Sequence, residues 1–226
     1  MIRIRALQCL LGVLLFQFFV QKSIGADITR HSTGDAQVDI IVVDGIITLE
    51  DQANFTTAAT ASNSAVVVLN SQGGATLSAL EMGKTIRLKG FATAVPENAL
   101  CASACALMWL AGSPRFIGEG AHIGFHASYI DRNGTLAESG VANALVGAYL
   151  NQLGLSQKAV AFVTSAPPQG MEWLDASKAQ SIGVDFVWME ASSRPPNQPS
   201  PGTGVVNEPY DPISVVTRFY RGPAQT

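Results

Sequence analysis

The chain has 226 residues, of which 47% are apolar and 14% charged. This length fits one compact domain with appendages or two small domains, and the charged fraction is low against the about 25% of a typical soluble domain. The first 26 residues contain Arg3, Arg5 and Lys22 and no acid, so the remaining residues hold 11 basic and 17 acidic side chains, a net charge of −6. Because a nucleic-acid-binding protein needs a basic face, this balance excludes nucleic acid as the partner.

The first segment has the layout of a secretory signal. A short cationic start precedes fifteen uncharged residues, 6–20, and the small residues Gly25 and Ala26 follow. Fifteen residues are fewer than the roughly 20 that a membrane-spanning helix needs. We therefore predict that residues 1–26 are a signal peptide cleaved near Ala26 and that the protein is exported, to the periplasm. The alternative is an uncleaved N-terminal anchor, which would be its only membrane contact.

The next part of the chain alternates between strand and helix patterns. Residues 27–37 are polar and are predicted to form a loose lead-in. The elements predicted after it are a strand at 38–45, a helix at 46–61, a strand at 65–69, a turn at 70–74, a helix at 75–89 and a short strand at 91–95. The run at 65–69 is continuously apolar, which is typical of a strand buried on both faces.

The pattern continues with shorter elements. Residues 101–111 are apolar almost throughout, which predicts a buried helix. The later predictions are short strands at 115–118 and 122–126, a helical stretch at 136–164 broken at Gly154, a loop at 166–170, a helix at 175–181 and a last strand at 184–189. Alternating strands and helices predict an α/β domain at residues 27–191 with a largely parallel sheet.

Residues 192–226 form a proline-rich tail. Six prolines fall between residues 192 and 212, a composition that does not bury a core. Residues 213–221 then carry several apolar side chains. We interpret this end as a flexible tail with a short helix that docks on the domain, or as a partner-binding segment.

Two cysteines, Cys101 and Cys105, remain once the signal is removed. On one helical turn their Cα atoms would lie within disulfide range, and export favours oxidation, so we predict a disulfide or a pair of buried thiols. A structural zinc site needs about four ligands, and His122 and His126 lack the intervening glutamate of a zinc-binding helix. The sequence therefore predicts no metal and no cofactor.

Three features could support nucleophilic catalysis. Ser103 lies near the start of a predicted buried helix, whose positive end favours an activated serine, although such a serine is also a common N-cap. His126 ends a predicted strand and could act as the base, or could be a hydrogen-bonded structural residue. The Gly73-Gly74 turn lets backbone N–H groups approach an oxyanion or a phosphate; the alternative is an ordinary turn between strand and helix.

The order and spacing of these features resemble the Clp protease proteolytic subunit and its superfamily, which includes signal peptide peptidases and crotonases. The resemblance covers residues 38–189 and depends on Asn70-Ser-Gln-Gly-Gly74, Ala102-Ser103-Ala104, Gly112, Arg115, Ile123-Gly-Phe-His126 and the segment from Trp173 to Asp185. It implies a ClpP/crotonase-like fold of repeated β-β-α units with a mostly parallel sheet. It also implies an exported serine peptidase or related acyl hydrolase, with a peptide or protein substrate and possible assembly into homo-oligomers.

The resemblance assigns roles residue by residue. Ser103 would be the nucleophile and His126 the general base, and the backbone N–H groups of Gly74 and Ala104 would form the oxyanion hole. The departure is the third member of the triad, because the family's aspartate is replaced here by the segment Gly170-Met171-Glu172.

Several residues near this departure could matter. Glu172 is displaced by one position, which on a strand turns it to the other face, and Asp175 is predicted to cap a helix. A Ser-His dyad, or a backbone carbonyl that orients the histidine, are the alternatives to a triad. A Ser-Lys dyad would need Lys84 or Lys178, which nothing in the sequence directs inward. The rival function is an inactive Clp-like domain that binds a peptide or protein partner; acyl-CoA chemistry is disfavoured by export.

Overall fold

The computed structural model describes residues 25–33 and 38–189. Residues 1–24 of the predicted signal and the predicted tail at 192–226 lie outside this part. Across the described ranges, every helix is too short or too polar to span a bilayer. The strands are β1 (Asp27–His31), β2 (Asp39–Asp44), β3 (Ala65–Asn70), β4 (Ala92–Val95), β5 (Leu100–Ala102), β6 (Arg115–Ile117), β7 (His122–Phe125), β8 (Tyr129–Arg132), β9 (Thr135–Glu138), β10 (Glu172–Trp173) and β11 (Val187–Trp188). The helices are α1 (Asp51–Thr60), α2 (Thr76–Lys89), α3 (Ala104–Ala111), α4 (Gly140–Gln152), α5 (Gln157–Val163) and α6 (Ala176–Ile182).

The framework is a six-stranded sheet in the order β1-β2-β3-β4-β6-β11. Strand β1 runs antiparallel to β2, and all the other neighbouring strands are parallel. Residues 65–69 of β3 are fully buried, as expected for a central strand covered on both faces. The prediction of an α/β fold with a largely parallel sheet is confirmed.

A second sheet of three short strands, in the order β10-β7-β5, holds the turns that matter for the site. Strands β5 and β7 are parallel, with Cys101 opposite Ile123, and β10 is antiparallel to β7. The two sheets are linked where Ser71, just after β3, bridges to Cys101. Because β5 and β7 are parallel neighbours, the residues that follow them, Ser103 and His126, lie at the same edge of the three-stranded sheet.

The helices pack on the sheets around one apolar core. Helix α3 is the most deeply placed, since all of its residues are buried. Helix α4 is fixed to it by Tyr149, whose buried hydroxyl donates a 2.8 Å hydrogen bond to the carbonyl of Leu107. Burial raises the pKa of Tyr149 far above its ordinary value. The middle of α3 is therefore tied to α4.

Two segments have a secondary structure different from the one predicted from the sequence. Residues 27–31 form β1, paired along its length with β2, so the prediction of a loose lead-in there is wrong; residues 34–37 lie outside the described part. The predicted helix at 101–111 begins only at Ala104, because Leu100 to Ala102 pair with β7 as strand β5. The apolar run was correctly predicted to be buried, but its first two residues belong to strand β5 and not to the helix.

Other differences concern boundaries. Helix α1 begins at Asp51 and not at Ile46, because Ile47 forms a bridge with Gly74 across the glycine turn. The predicted helix at 136–164 starts late, because residues 135–138 form β9 of a hairpin with β8. The predicted break at Gly154 is confirmed, since this glycine has a φ of 79° between α4 and α5.

Candidate active site

Ser103 forms the sharp turn from β5 into α3. Its backbone has φ 56° and ψ −121°, a conformation that residues with a side chain rarely adopt. Its N–H donates to the carbonyl of Gly124 at 2.8 Å, and its carbonyl accepts from Ala106 N–H at 3.0 Å. Although Ser103 occupies the N-cap position, its side chain makes no capping hydrogen bond. Within the described residues, the hydroxyl therefore does not have the capping role that the alternative interpretation gave it.

The first N–H of α3 lies next to this hydroxyl. Within the described residues, the Ala104 N–H has no hydrogen-bond acceptor in the protein. Donors of this kind at a buried helix N-terminus carry a partial positive charge and attract an anion. This end of α3 can therefore stabilise negative charge that develops beside Ser103.

The glycine turn packs directly on the serine turn. A Cβ on Gly73, whose φ is 101°, would lie 2.8 Å from Ser103 Cβ and 3.0 Å from Ala104 N, so only glycine fits. The Gly73 N–H is occupied by the Ser71 hydroxyl at 3.0 Å. No acceptor among the described residues takes the Gly74 N–H, and Gly74 is exposed. The turn thus brings a second free donor to the neighbourhood of Ser103.

His126 follows β7 and is half-buried. Its Nδ1 lies 2.8 Å from the carbonyl oxygen of Ala127. Since a carbonyl only accepts hydrogen bonds, Nδ1 carries a proton, and in the tautomer with this single ring proton Nε2 is the acceptor. The other nearby histidine, His122, is exposed and packs edge-on against Trp173 at 5.8 Å between ring centres, so it has no part in this site.

Ser103 and His126 line the same small cleft. Its cavity volume is about 10 Å³, room for about one water molecule. The rest of its lining consists of Thr76, Ala104, Leu107, Phe125, Ser128, Asn143, Val146 and Val163. No hydrogen bond joins the Ser103 and His126 side chains in the described part of the chain; such bonds are often long in ligand-free enzymes and shorten when substrate binds.

Sequence reasoning missed three polar residues of this cleft. The Ser128 N–H donates to Asn143 Oδ1 at 2.7 Å, and the hydroxyls of Ser128 and Thr76 lie 3.5 Å apart. Asn143 precedes Val146 and Leu150 by three and seven positions, so it shares their inward face of α4. The signal available in the sequence was Asn143 itself, a polar residue on an otherwise apolar helix face.

The acidic residues near the departure from the triad pattern do not face His126. Glu172 pairs with Lys178 at 2.7 Å, and this hydrogen bond raises the pKa of Lys178 above its ordinary value. Asp175 caps α6 by accepting from the Lys178 N–H at 2.8 Å, as predicted. His126 is therefore oriented by a backbone carbonyl, one of the alternatives that the sequence left open.

Neither candidate lysine reaches the cleft. Lys84 pairs with Glu81 at 2.6 Å on the surface of α2, and Lys178 is engaged with Glu172. In the part of the chain that the structure describes, no lysine lines the cleft. A Ser-Lys arrangement is therefore not formed by either of the lysines that the sequence offered.

A disulfide joins Cys101 in β5 to Cys105 in α3, across Ser103, with the two Cα atoms 5.1 Å apart. Both cysteines are fully buried. The predicted pairing is therefore formed between a strand and a helix, and not along one helical turn as expected. In residues 25–33 and 38–189, no three His, Cys, Asp or Glu side chains are grouped so that they could hold a metal ion.

Many solved structures resemble this one, and two of them are compared with it. The first is a serine-to-alanine variant of the 1510-N membrane-bound stomatin-specific protease, with a TM-score of 0.53, 17% identity, and coverage of 67% of this chain and 77% of that chain. The second is a lysine-to-alanine variant of this protease in complex with a substrate peptide, with a TM-score of 0.52, 18% identity, and coverage of 67% and 73%. No protein-family model and no curated protein matches the sequence. The likeness confirms the predicted ClpP-like fold, and at this identity it shows the fold alone.

Proposed function

We propose that the protein is an exported serine peptidase or related acyl hydrolase in which Ser103 and His126 act as nucleophile and base. The observation that carries the proposal is their meeting in one cleft, with Ser103 on a strained turn at the N-terminus of a buried helix. A nucleophile held on such a turn between strand and helix is exposed to substrate. The fold is one that the stomatin-specific protease also has, which supports peptide hydrolysis as the reaction class.

The chemistry follows from the donors around the serine. Ser103 Oγ attacks the substrate carbonyl while its proton passes to Nε2 of His126, and the Gly74 and Ala104 N–H groups stabilise the resulting oxyanion. Collapse of this intermediate releases the amine or alcohol, which takes the proton from His126. Water then hydrolyses the acyl-serine, with His126 again acting as the base.

The proposed substrate is a peptide or protein. An open groove of about 290 Å³, lined in part by Ser71, Gln72 and Leu100, adjoins the glycine turn. Gln72 of its lining lies two residues before the proposed oxyanion donor Gly74, so we propose that a peptide chain extends from the cleft along this groove. The related structure that contains a substrate peptide supports the same class of ligand.

The rival function is a binding domain without catalysis. It is favoured by one observation: among the described residues, no carboxylate forms a hydrogen bond with His126. Loss of the aspartate from a Ser-His-Asp triad lowers the rate by about 10⁴-fold, but leaves activity above background.

Hydrolysis of a panel of peptides and esters by matched variants separates the two functions. We expect Ser103→Ala and His126→Ala each to lower kcat/KM by about 10³-fold or more, to background. Ser165→Ala, which changes an exposed serine outside the cleft, is the control and should keep wild-type activity. If Ser103→Ala hydrolyses the panel at the wild-type rate, the nucleophile assignment is wrong. If the wild type hydrolyses nothing but binds peptide, the binding function is correct.

A further inference from the structure

The disulfide encloses the proposed nucleophile in a short covalent ring. Cys101 and Cys105 are each two residues from Ser103, one in β5 and the other in α3. Both side chains are completely buried, so solvent and reductants do not reach the bond in the folded protein. The bond thus joins the strand that enters the turn to the helix that leaves it.

The turn itself needs restraint. A positive φ at a non-glycine residue such as Ser103 is costly and persists only where the surroundings impose it. Hydrogen bonds anchor the strand side, since Ala102 N–H donates to Ser71 at 2.9 Å and Ser103 N–H donates to Gly124 at 2.8 Å. The disulfide is the covalent link that fixes the helix side relative to these anchors.

The disulfide is poorly placed to stabilise the whole domain. A disulfide stabilises a protein mainly by restricting its unfolded chain, and this effect grows with the length of the loop that it closes. Here the loop runs only from Cys101 to Cys105. Its consequences therefore fall on the local geometry of the turn more than on the stability of the whole domain.

We propose that Cys101 and Cys105 are positioning residues, whose disulfide holds Ser103 Oγ and the Ala104 N–H in the arrangement needed for reaction. This inference rests on the proposed function and adds to it a dependence of serine reactivity on oxidation. In the reduced protein the turn relaxes and the hydroxyl moves relative to the N–H donor. Displacements of about 1 Å at reacting groups cost about 10²-fold in rate.

The test compares the oxidised wild type with the same chain unfolded and refolded in dithiothreitol. Two thiols of dithiothreitol give up two electrons and two protons to the disulfide, producing two cysteine thiols and the cyclic disulfide of the reagent. The readout is the second-order rate constant with a fluorophosphonate, in which Ser103 Oγ displaces fluoride from phosphorus. We expect this constant to fall by about 10²-fold on reduction, while circular dichroism shows an unchanged fold.

A double variant, Cys101→Ala with Cys105→Ala, repeats the comparison without a reductant and covers the case in which the reduced chain fails to refold. Leu110→Ala is the matched control, because it removes buried volume from α3 outside the cleft. The control should have a lower Tm and the wild-type labelling rate. The double variant should show the same fall of about 10²-fold in labelling rate as the reduced protein, with kcat reduced and KM unchanged.

The labelling rates decide whether the disulfide positions Ser103. Equal labelling rates in the oxidised, reduced and double-variant proteins would overturn it and leave the proposed function standing. A loss of labelling that merely follows Tm, with Leu110→Ala equally affected, would show a structural role and also overturn it. If the oxidised wild type does not react at all, both the proposed function and the positioning role are wrong.

Discussion

At the scale of single residues, the site is defined by backbone geometry as much as by side chains. The positive φ of Ser103 costs about 1–3 kcal/mol in free energy of folding, and its neighbours must offset this cost. Gly73 permits the closest approach, because any side chain there would collide with the serine turn. The Ser103 conformation therefore lowers the stability of the fold, and its hydroxyl does not offset this by capping the helix.

The orientation of His126 differs from that in a complete triad. The carbonyl of Ala127 holds the proton on Nδ1, which leaves Nε2 as the proton acceptor. A neutral carbonyl fixes this tautomer, but in the proposed reaction it would stabilise an imidazolium less than a carboxylate does. We therefore expect slow turnover compared with enzymes that have all three triad members.

Glu172→Gln tests whether the acid beside the sequence position of the family's aspartate takes part in the proposed reaction. Because Glu172 pairs with Lys178 and does not contact His126, we expect kcat/KM on the best substrate to stay within about twofold of wild type. The matched change Asp175→Asn alters the cap of α6 and should behave in the same way. A loss of about 10³-fold or more in Glu172→Gln alone would identify Glu172 as the missing triad member.

At the scale of secondary structure, the elements with continuous signals were predictable. Residues 65–69 are apolar without interruption and form β3, and the helix predicted at 75–89 is α2 with a glycine cap at Gly90. Ser103 and His126 were also placed correctly at element boundaries, because turns with small residues mark the ends of strands and helices. These signals are local, so they can be found in one stretch of sequence.

The elements that were missed depend on distant partners. Residues 100–102 become a strand through β7 and the bridge to Ser71, and the two residues of β10 through β7. The pair Ser128 and Asn143 is likewise brought together by the tertiary fold. No periodicity within a short window reports such pairings, which explains why the polar lining of the cleft was not predicted.

Tyr149→Phe tests how firmly α4 is fixed to α3. Loss of the hydrogen bond to Leu107 should lower the free energy of unfolding by about 1 kcal/mol at pH 7. Burial raises the pKa of Tyr149, so the folded state favours the neutral phenol. Its contribution to stability is therefore complete below about pH 10, the ordinary tyrosine pKa, and is lost as the pH rises above that value.

Urea unfolding between pH 7 and pH 11 measures this effect. The wild type should lose stability at alkaline pH faster than Tyr149→Phe, so that their difference shrinks and then reverses. Tyr129→Phe, which changes an exposed tyrosine, should keep the pH dependence of the wild type. A constant difference between wild type and Tyr149→Phe across this range would contradict a buried, proton-retaining Tyr149.

At the scale of the whole molecule, a large, mostly parallel sheet adjoins a small sheet whose strands β5 and β7 end just before Ser103 and His126. The serine turn follows β5, the histidine follows β7, and the glycine turn follows β3 of the large sheet. The bridge between Ser71 and Cys101 brings the three turns together. The low charge of the chain reflects this layered, buried core, because helix α3 and residues 65–69 of strand β3 are apolar throughout.

Export is tested at the same scale by the N-terminus of the protein recovered from a bacterial host. We expect cleavage near Ala26, so that the mature chain begins at about residue 27 and is found in the periplasmic fraction. Replacing the uncharged stretch with charged residues, as in Leu14→Arg with Leu15→Arg, should retain the precursor in the cytoplasm. An intact N-terminus on membrane-bound protein would show the alternative, an uncleaved anchor.

The central claim is that Ser103 is an activated nucleophile, and a mapped covalent adduct tests it most directly. The folded, oxidised protein is treated with a fluorophosphonate, digested and analysed by mass spectrometry, with Ser103→Ala and Ser165→Ala treated in parallel. We predict one phosphonylated residue, Ser103, in the wild type and in Ser165→Ala, and no adduct in Ser103→Ala. An unlabelled wild type, or an adduct on another serine that persists in Ser103→Ala, would contradict the account.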